Sequence, residues 1–300
     1  MTTSLRELLA AELVVAPGCF DAFSARLAEL AGFTAIHLTG LGVEATQLGA
    51  PDLGLLSLTE LAAHAARVTE AVSIPVLADV DTGFGGVLNV GRTIREMERA
   101  GVAGVHIEDQ SLPKHCPLLA GRSVVGREEG VERVRAACQA RTDPDFVVVA
   151  RTDADTISIQ EVIDRSNLYL EAGADMAMPI TMVVDGRPYA DLAPGEQMEL
   201  LRLLAKEIDG PVMGMGDGPP EGYTTADLAE AGLSFMMFAA GALSASANAM
   251  AELFAEIRRS GTDAGYRAAH RGQYTDPLEI MRAMHLERYA EQERRSAGGQ

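Results

Sequence analysis

The sequence predicts a TIM-type α/β fold, one parallel (β/α)8 barrel with extra C-terminal helices, spanning residues 1–300 as a single domain. Three observations carry that prediction. Eight short β-rich runs recur along the chain, helix-patterned segments separate them, and no low-complexity linker divides the 300 residues. Alternating strands and helices favour a parallel sheet, and one barrel commonly occupies about 250 residues.

The strand runs are "LVVAPG", "AIHLTG", "PVLADVD", "GVHIED", "FVVVARTD", "DMAMPI", "PVMGMG" and "SFMMFAAG". Helices are predicted over "SLTELAAHAARVTEAV", "VGRTIREMERAG", "GVERVRAACQAR" and "IQEVIDRSNLYLEAG". The pairs Ala31-Gly32, Ala100-Gly101, Ala172-Gly173 and Ala231-Gly232 fit helix C-terminal caps, because glycine enters the left-handed conformation without steric cost. From Gly241 to about residue 290, "SANAMAELFAEIRRSG" and "DPLEIMRAMHLERYAEQE" are helices beyond the barrel, packing on its body or on a partner subunit. The last residues, "RRSAGGQ", are expected to fray.

Charge excludes several function classes. With 43 acidic and 25 basic residues the net charge is −18, which repels nucleic-acid phosphates and anionic lipid surfaces. The longest apolar stretch, "FMMFAAGALSASANAM", is short and interrupted by polar residues, so no membrane span is expected. "MTTSLRELLAAELVV" lacks the basic region and cleavage site of a signal peptide, which predicts a cytoplasmic protein. Cys19, Cys116 and Cys138 are scattered and odd in number, so free thiols are expected.

Chemistry in a barrel sits at the C-terminal ends of the strands. There the sequence supplies Thr39-Gly40-Leu41, Asp79 with Asp81, Glu108 with Asp109, and Arg151 with Asp153, while Asp52 follows in a loop rich in Gly and Pro. Any one aspartate is equally explained as a helix cap. Crowded together, carboxylates need a cation, and all-oxygen ligation favours Mg2+, with Mn2+ as substitute. Because Mg2+ retains waters, Asp81 is expected to touch it directly and Asp79 and Glu108 to lie outside. "DTGFGG" lacks dinucleotide-binding spacing and is read as a metal-site turn and gate.

Together "PGCFDAFSARLAELAGFTAIHLTG", "LGAPDLGLLSLTE", "ADVDTGFGG", "VHIEDQSLPKHC" and "VVVARTDA" resemble the isocitrate lyase and phosphoenolpyruvate mutase superfamily, closest to its methylisocitrate-lyase-like branch. The resemblance implies Mg2+ at Asp81, supported by Asp79, Glu108 and Asp52. It also implies that Thr39, Gly40, Leu41 and Arg151 hold the carboxylate of a 2-oxoacid. Lys114-His115-Cys116-Pro117-Leu118 stands where family lyases carry K-[KR]-C-G-H. Cys116 is thereby the expected proton donor, with Lys114 and His115 tuning the thiol and closing the loop. A homotetramer, with a C-terminal helix exchanged between neighbours, is implied as well.

The departures fall on one side. Pro117 and Leu118 replace the family's Gly and His, Ile180 stands at a usual Glu, and Met215 at a usual Asn. These are the groups that bind the second half of the substrate in family lyases, so isocitrate and methylisocitrate are disfavoured. The expected activity is Mg2+-dependent cleavage of a 2-hydroxy acid to pyruvate or glyoxylate and a less charged product, or the reverse condensation. Alternatives are an oxaloacetate-type hydrolase or decarboxylase, a phosphonopyruvate-type enzyme, or a non-catalytic metabolite-binding barrel. The segment Thr181–Gln197 is read equally as a cover over the mouth, with Arg187 or Tyr189 replacing lost contacts, or as a solvated insertion. His37, His106, Cys19, Cys138 and the methionines at 182, 213, 215, 236 and 237 are read as packing residues.

Overall fold

Apolar strands alternating with half-apolar helices close into a parallel barrel in the computed structural model, which describes residues 3–216, 218–272 and 276–297. Helix α1 (Leu5–Ala11) precedes β1 (Val14–Cys19), α2 (Ala22–Leu30), β2 (Ile36–Leu38), α3 (Gly40–Leu48), α4 (Leu58–Ala71) and β3 (Val76–Asp79). Next come α5 (Val87–Arg99), β4 (Gly104–Glu108), α6 (Arg127–Ala140), β5 (Val147–Thr152), α7 (Ile159–Glu171) and β6 (Met176–Pro179). A hairpin of β7 (Val183–Val184) and β8 (Arg187–Pro188) leads to α8 (Pro194–Glu207), β9 (Met213–Gly214), α9 (Thr225–Glu230) and β10 (Phe235–Phe238). The chain continues through α10 (Gly241–Ser260), α11 (Ala264–Ala269), α12 (Pro277–Ala283) and α13 (Leu286–Ala297).

Eight strands form one sheet in the order β6-β5-β4-β3-β2-β1-β10-β9. A parallel bridge between Ala177 and Val212 joins its two ends, so the barrel has no open edge. Each of the eight predicted runs contains one of these strands. Inside, Val14, Leu77, Val147, Met176, Met213 and Phe235 pack together, and Leu5 of α1 joins them. Between the strands and the outer helices a second cluster includes Ile36, Leu61, Val68, Ile94 and Val105.

Local chemistry fixes the helix ends. Ser57 and Thr224 cap α4 and α9 through their side-chain oxygens, as Asp21 does for α2. All four Ala-Gly pairs follow helices, and their glycines have φ of +91°, +81°, +112° and +98°. Helix α3 was not read from sequence, because "GLGVEATQL" has glycines and a largely buried surface with no polar stripe. The predicted helix over residues 276–293 divides at His285, whose φ of +63° breaks it into α12 and α13. Helix α13 carries through Arg294 and Arg295, where fraying was expected, while 298–300 lie outside the described residues. Among the described residues, no helix is long and apolar enough to cross a membrane.

A Cβ added at Gly32 would meet nothing within 4 Å. Gly32→Ala therefore isolates the backbone cost of a left-handed alanine and should destabilise the protein by about 1–2 kcal/mol in urea unfolding. An unchanged midpoint would show that the turn relaxes at no cost.

Candidate active site

Strand register assembles the polar rim. Asp79 on β3 is paired with His106 on β4, and Glu108 on β4 with Arg151 on β5. Arg151 reaches Glu108 Oε2 at 2.8 Å and grips Asp153 through Nε and Nη2 at 2.8 and 3.0 Å. Burial opposes its charge, but Asp153, Glu108 and Asp79 hold the guanidinium well above its ordinary range. The loop after β3 bends sharply, with Asp81 and Phe84 at φ of +48° and +60°, a costly conformation for non-glycine residues. Hydrogen bonds secure it: the Asp81 N–H donates to Asp79 Oδ1 at 3.0 Å, and the Glu108 N–H donates to the Asp81 carbonyl at 2.9 Å. Gly40 is required beside it, since a Cβ there would lie 2.7 Å from Asp79 Oδ2.

Four carboxylates, Asp52, Asp79, Asp81 and Glu108, gather around the buried Lys114 ammonium. Lys114 Nζ pairs with Asp52 and lies 2.6 Å from Asp81. Burial disfavours charge on Lys114, yet Asp81, Asp79, Glu108 and Asp52 hold it protonated. Burial pushes the Asp81 carboxyl up to about 7 despite Lys114, with Asp79 and Asp52 adding to the rise. Asp79 is buried too, but His106, Lys114 and Arg151 hold it well below the usual carboxylate range. Glu108 is pushed upward by burial against the pull of Arg151, its ion-pair partner at 2.8 Å. An acidic, all-oxygen cluster of four carboxylates facing one ammonium and one guanidinium fits a hard divalent cation. Among the described residues no three His, Cys, Asp or Glu groups form a ready-made metal site, so the fit is to a hydrated ion touching one or two carboxylates.

Cys116 faces the same cavity, and its N–H donates to the Asp52 carbonyl at 3.2 Å. Burial and the neighbouring Asp52 push the thiol up to about 11, although the Leu118 amide opposes them. Lys114 was expected to tune this thiol; its ammonium is placed against the carboxylates of Asp52 and Asp81. His115 is also placed differently. Its ring is not on the cavity wall, and its backbone N–H and carbonyl are both bound by Gln110 at 2.9 Å. Gln110 also donates to Asp153 at 3.1 Å.

The cavity encloses about 260 Å³, and His37, Thr39, Leu41, Asp52, Asp79 and Arg151 are on its wall. Thr39 is the N-cap of α3, so that helix's positive end opens here; Gly40 lies beneath, against Asp79. Met215 and Leu118 also line the cavity, but Ile180 does not. Its side chain is wholly buried with Met176 in the barrel interior, although Met178, on the same face two residues earlier, does reach the cavity. Tyr189 reaches the wall from the 181–197 segment, whereas Arg187 is exposed and pairs with Glu196 at 3.3 Å. His37 and His106 are buried as expected, yet they line the cavity, with Nε2 atoms 2.8 Å apart. Burial and the proximity of His106 push His37 down to about 3, so the pair shares one proton between facing nitrogens.

Three supports were missed in the sequence. Glu44, buried on α3, accepts the amides of Leu53, Leu55 and Leu56 and so shapes the Asp52 loop. Gln110 ends the recognised "IEDQ" run, which was the one available signal, but no role was read for it. Arg122 follows the cysteine loop and binds Asp153 and, through two nitrogens, Asp155, with no local pattern to mark it.

Residues 5–258 match the family described as phosphoenolpyruvate phosphomutase. The chain is 38% identical over 271 residues to 2,3-dimethylmalate lyase of Eubacterium barkeri, covering 87% of each chain. The solved structure of oxaloacetate acetylhydrolase with the inhibitor 3,3-difluorooxalacetate is similar at a TM-score of 0.86 and 30% identity, covering 100% of this chain and 97% of that one. Phosphonopyruvate hydrolase complexed with oxalate and Mg2+ is similar at a TM-score of 0.83 and 31% identity, covering 98% and 99%.

If Gln110 anchors the cysteine loop, Gln110→Leu should raise the alkylation rate of Cys116 by about tenfold or more, the equivalent of about 1.4 kcal/mol of local opening. Peptide mapping separates Cys116 from Cys19 and Cys138, and an unchanged rate would place the anchor elsewhere.

Proposed function

Because the chain belongs to the phosphoenolpyruvate phosphomutase and isocitrate lyase superfamily, we propose that it is a Mg2+-dependent carbon–carbon lyase acting on a 2-hydroxy acid. It releases pyruvate or glyoxylate and a less charged second product, or runs the reverse condensation. The carrying observation is that Cys116 and two carboxylates of the buried cluster, Asp52 and Asp79, line one cavity, with Lys114 joining Asp52 to Asp81.

Asp81 would hold Mg2+ directly, with Asp79, Glu108 and Asp52 around its waters. When bound, the ion supplies positive charge beside the substrate's carboxylate and adjacent oxygen. Thr39, the α3 N-terminus with Gly40 and Leu41, and Arg151 orient that carboxylate. As the hydroxyl proton leaves and the carbon–carbon bond breaks, the electron pair moves to the departing carbon. Cys116, kept as a thiol by burial, gives that carbon its proton. The three free thiols and acidic surface fit a cytoplasmic enzyme.

Similarity to oxaloacetate acetylhydrolase favours a second reading, hydrolysis of an oxaloacetate-type acid. The products separate the two readings: hydrolysis of oxaloacetate would yield oxalate, while the lyase yields a 2-oxoacid. A third reading, a barrel without turnover, predicts no Mg2+-dependent thermal shift with oxalate.

Assayed with a coupled reductase, 2-oxoacid release should require Mg2+ and vanish with chelator. Cys116→Ser should reduce it by about 10²–10⁴-fold while leaving the oxalate shift intact. Release undiminished by this substitution would assign the acid to another group.

A homotetramer is proposed as well. Helix α10 buries no residue, and Met250, Phe254 and Ile257 are exposed along it. Phe254→Asp should lower the mass measured by light scattering; an unchanged assembly would remove α10 from the interface.

A further inference from the structure

Barrel topology divides the cavity wall into two halves. Neighbouring strands β2 to β5 bring His37, Asp79, His106 and Arg151 to one half. Strands β6, β9 and β10, contiguous through the closing bridge, bring Met178 and Met237 to the other, with Met215 just beyond β9. Leu118 adds apolar surface to the cavity from the loop after β4, and Met182 covers this second half from the loop after β6. Among the described residues it has no lysine or arginine, and its side-chain donors are the hydroxyls of Thr181 and Tyr189.

Tyr189 is held in place by its backbone. Its N–H donates to the Met182 carbonyl at 2.9 Å, and its own carbonyl accepts from Gln197 at 3.0 Å. Burial alone pushes the phenol up to about 12, so it remains a donor at neutral pH.

Cleavage of a 2-hydroxy acid leaves an electron pair on the departing carbon, and a neighbouring carbonyl group must take it up. A carboxylate in that role would become doubly negative among methionines, with no cation to offset it. A neutral acyl oxygen becomes a singly negative enolate, which a hydroxyl donor can stabilise.

We propose that the substrate is a 2-hydroxy acid whose departing half carries a neutral acyl group, and that Tyr189 hydrogen-bonds the acyl oxygen; this rests on the lyase reading above. The C2 hydroxyl loses its proton, the C2–C3 bond breaks as the C2 carbonyl forms, and the electron pair passes into the acyl carbonyl as an enolate. C3 then takes the Cys116 proton, and the released hydroxyl proton restores the thiol. A 2-oxoacid and a neutral methyl or alkyl carbonyl compound result, with no oxidant or reductant.

A matched pair of probes tests the proposal: 2-hydroxy-2-methyl-4-oxopentanoate and 2-methylmalate differ at the far end by a methyl in place of a carboxylate oxygen, and both yield pyruvate. The ketone should have a kcat/KM at least about tenfold higher. Tyr189→Phe should lower the ketone's kcat/KM by about tenfold and shift the ratio of the two probes. Met215→Arg, which adds a cation to the apolar half, should move the ratio toward 2-methylmalate; damage to the fold would lower both rates and leave the ratio alone. Equal or faster turnover of 2-methylmalate would overturn the acyl assignment and leave the lyase standing. An unchanged ratio in Tyr189→Phe would remove Tyr189 from it. Pyruvate from neither probe, or from any other 2-hydroxy acid, would defeat both readings.

Discussion

The crowding of buried negative charge at the rim of the barrel is the constraint on which the site depends. Asp52, Asp79, Asp81 and Glu108 arrive from two strand ends and two loops, and Lys114 and Arg151 are the cations that hold them together. Burial raises the cost of every uncompensated charge, so each of these side chains is fixed by its neighbours rather than by its own rotamer preference. The strained backbone at Asp81 belongs to the same arrangement. Its left-handed φ is tolerated because Asp79 and Glu108 hydrogen-bond its N–H and carbonyl.

The charge network also joins the two coverings of the cavity. Asp153 accepts from Arg151, Arg122 and Gln110, and Gln110 holds the backbone of His115 in the cysteine loop. Arg122 continues to Asp155, whose carboxylate accepts the Val183 N–H of the β7–β8 hairpin. Cys116 and Tyr189 are therefore tethered to one buried cluster that also orients the substrate-facing arginine. A shift of either covering would have to break charge-assisted hydrogen bonds, which are stronger than neutral ones.

Features encoded locally were legible in the sequence. Apolar runs located all eight barrel strands, and four glycines after alanine marked helix ends. Polar residues at strand ends identified the rim, because parallel strands bring their C-termini to one face. What depended on register or on distant partners was not legible. Ile180 was expected on the cavity wall, yet it is packed in the interior while Met178 on the same face reaches the wall, a difference of depth that strand period does not encode. Lys114 lies two residues from Cys116, which suggested a thiol partner, but its long side chain turns to Asp52 and Asp81. Arg122 and Glu44 act across 31 and 9 or more residues of separation, where no local pattern reports them.

Dividing the wall between contiguous strands also separates two physical tasks. The β2–β5 half must balance several charges, so replacing one group there disturbs all of its partners. The β6, β9 and β10 half is built from methionines and small residues that adapt to different shapes. Met215 can thus stand in that half without leaving a buried charge unpaired. In the proposed reaction the polar half holds a carboxylate and its neighbouring oxygen, and the apolar half, with one tethered tyrosine, selects what is attached to them.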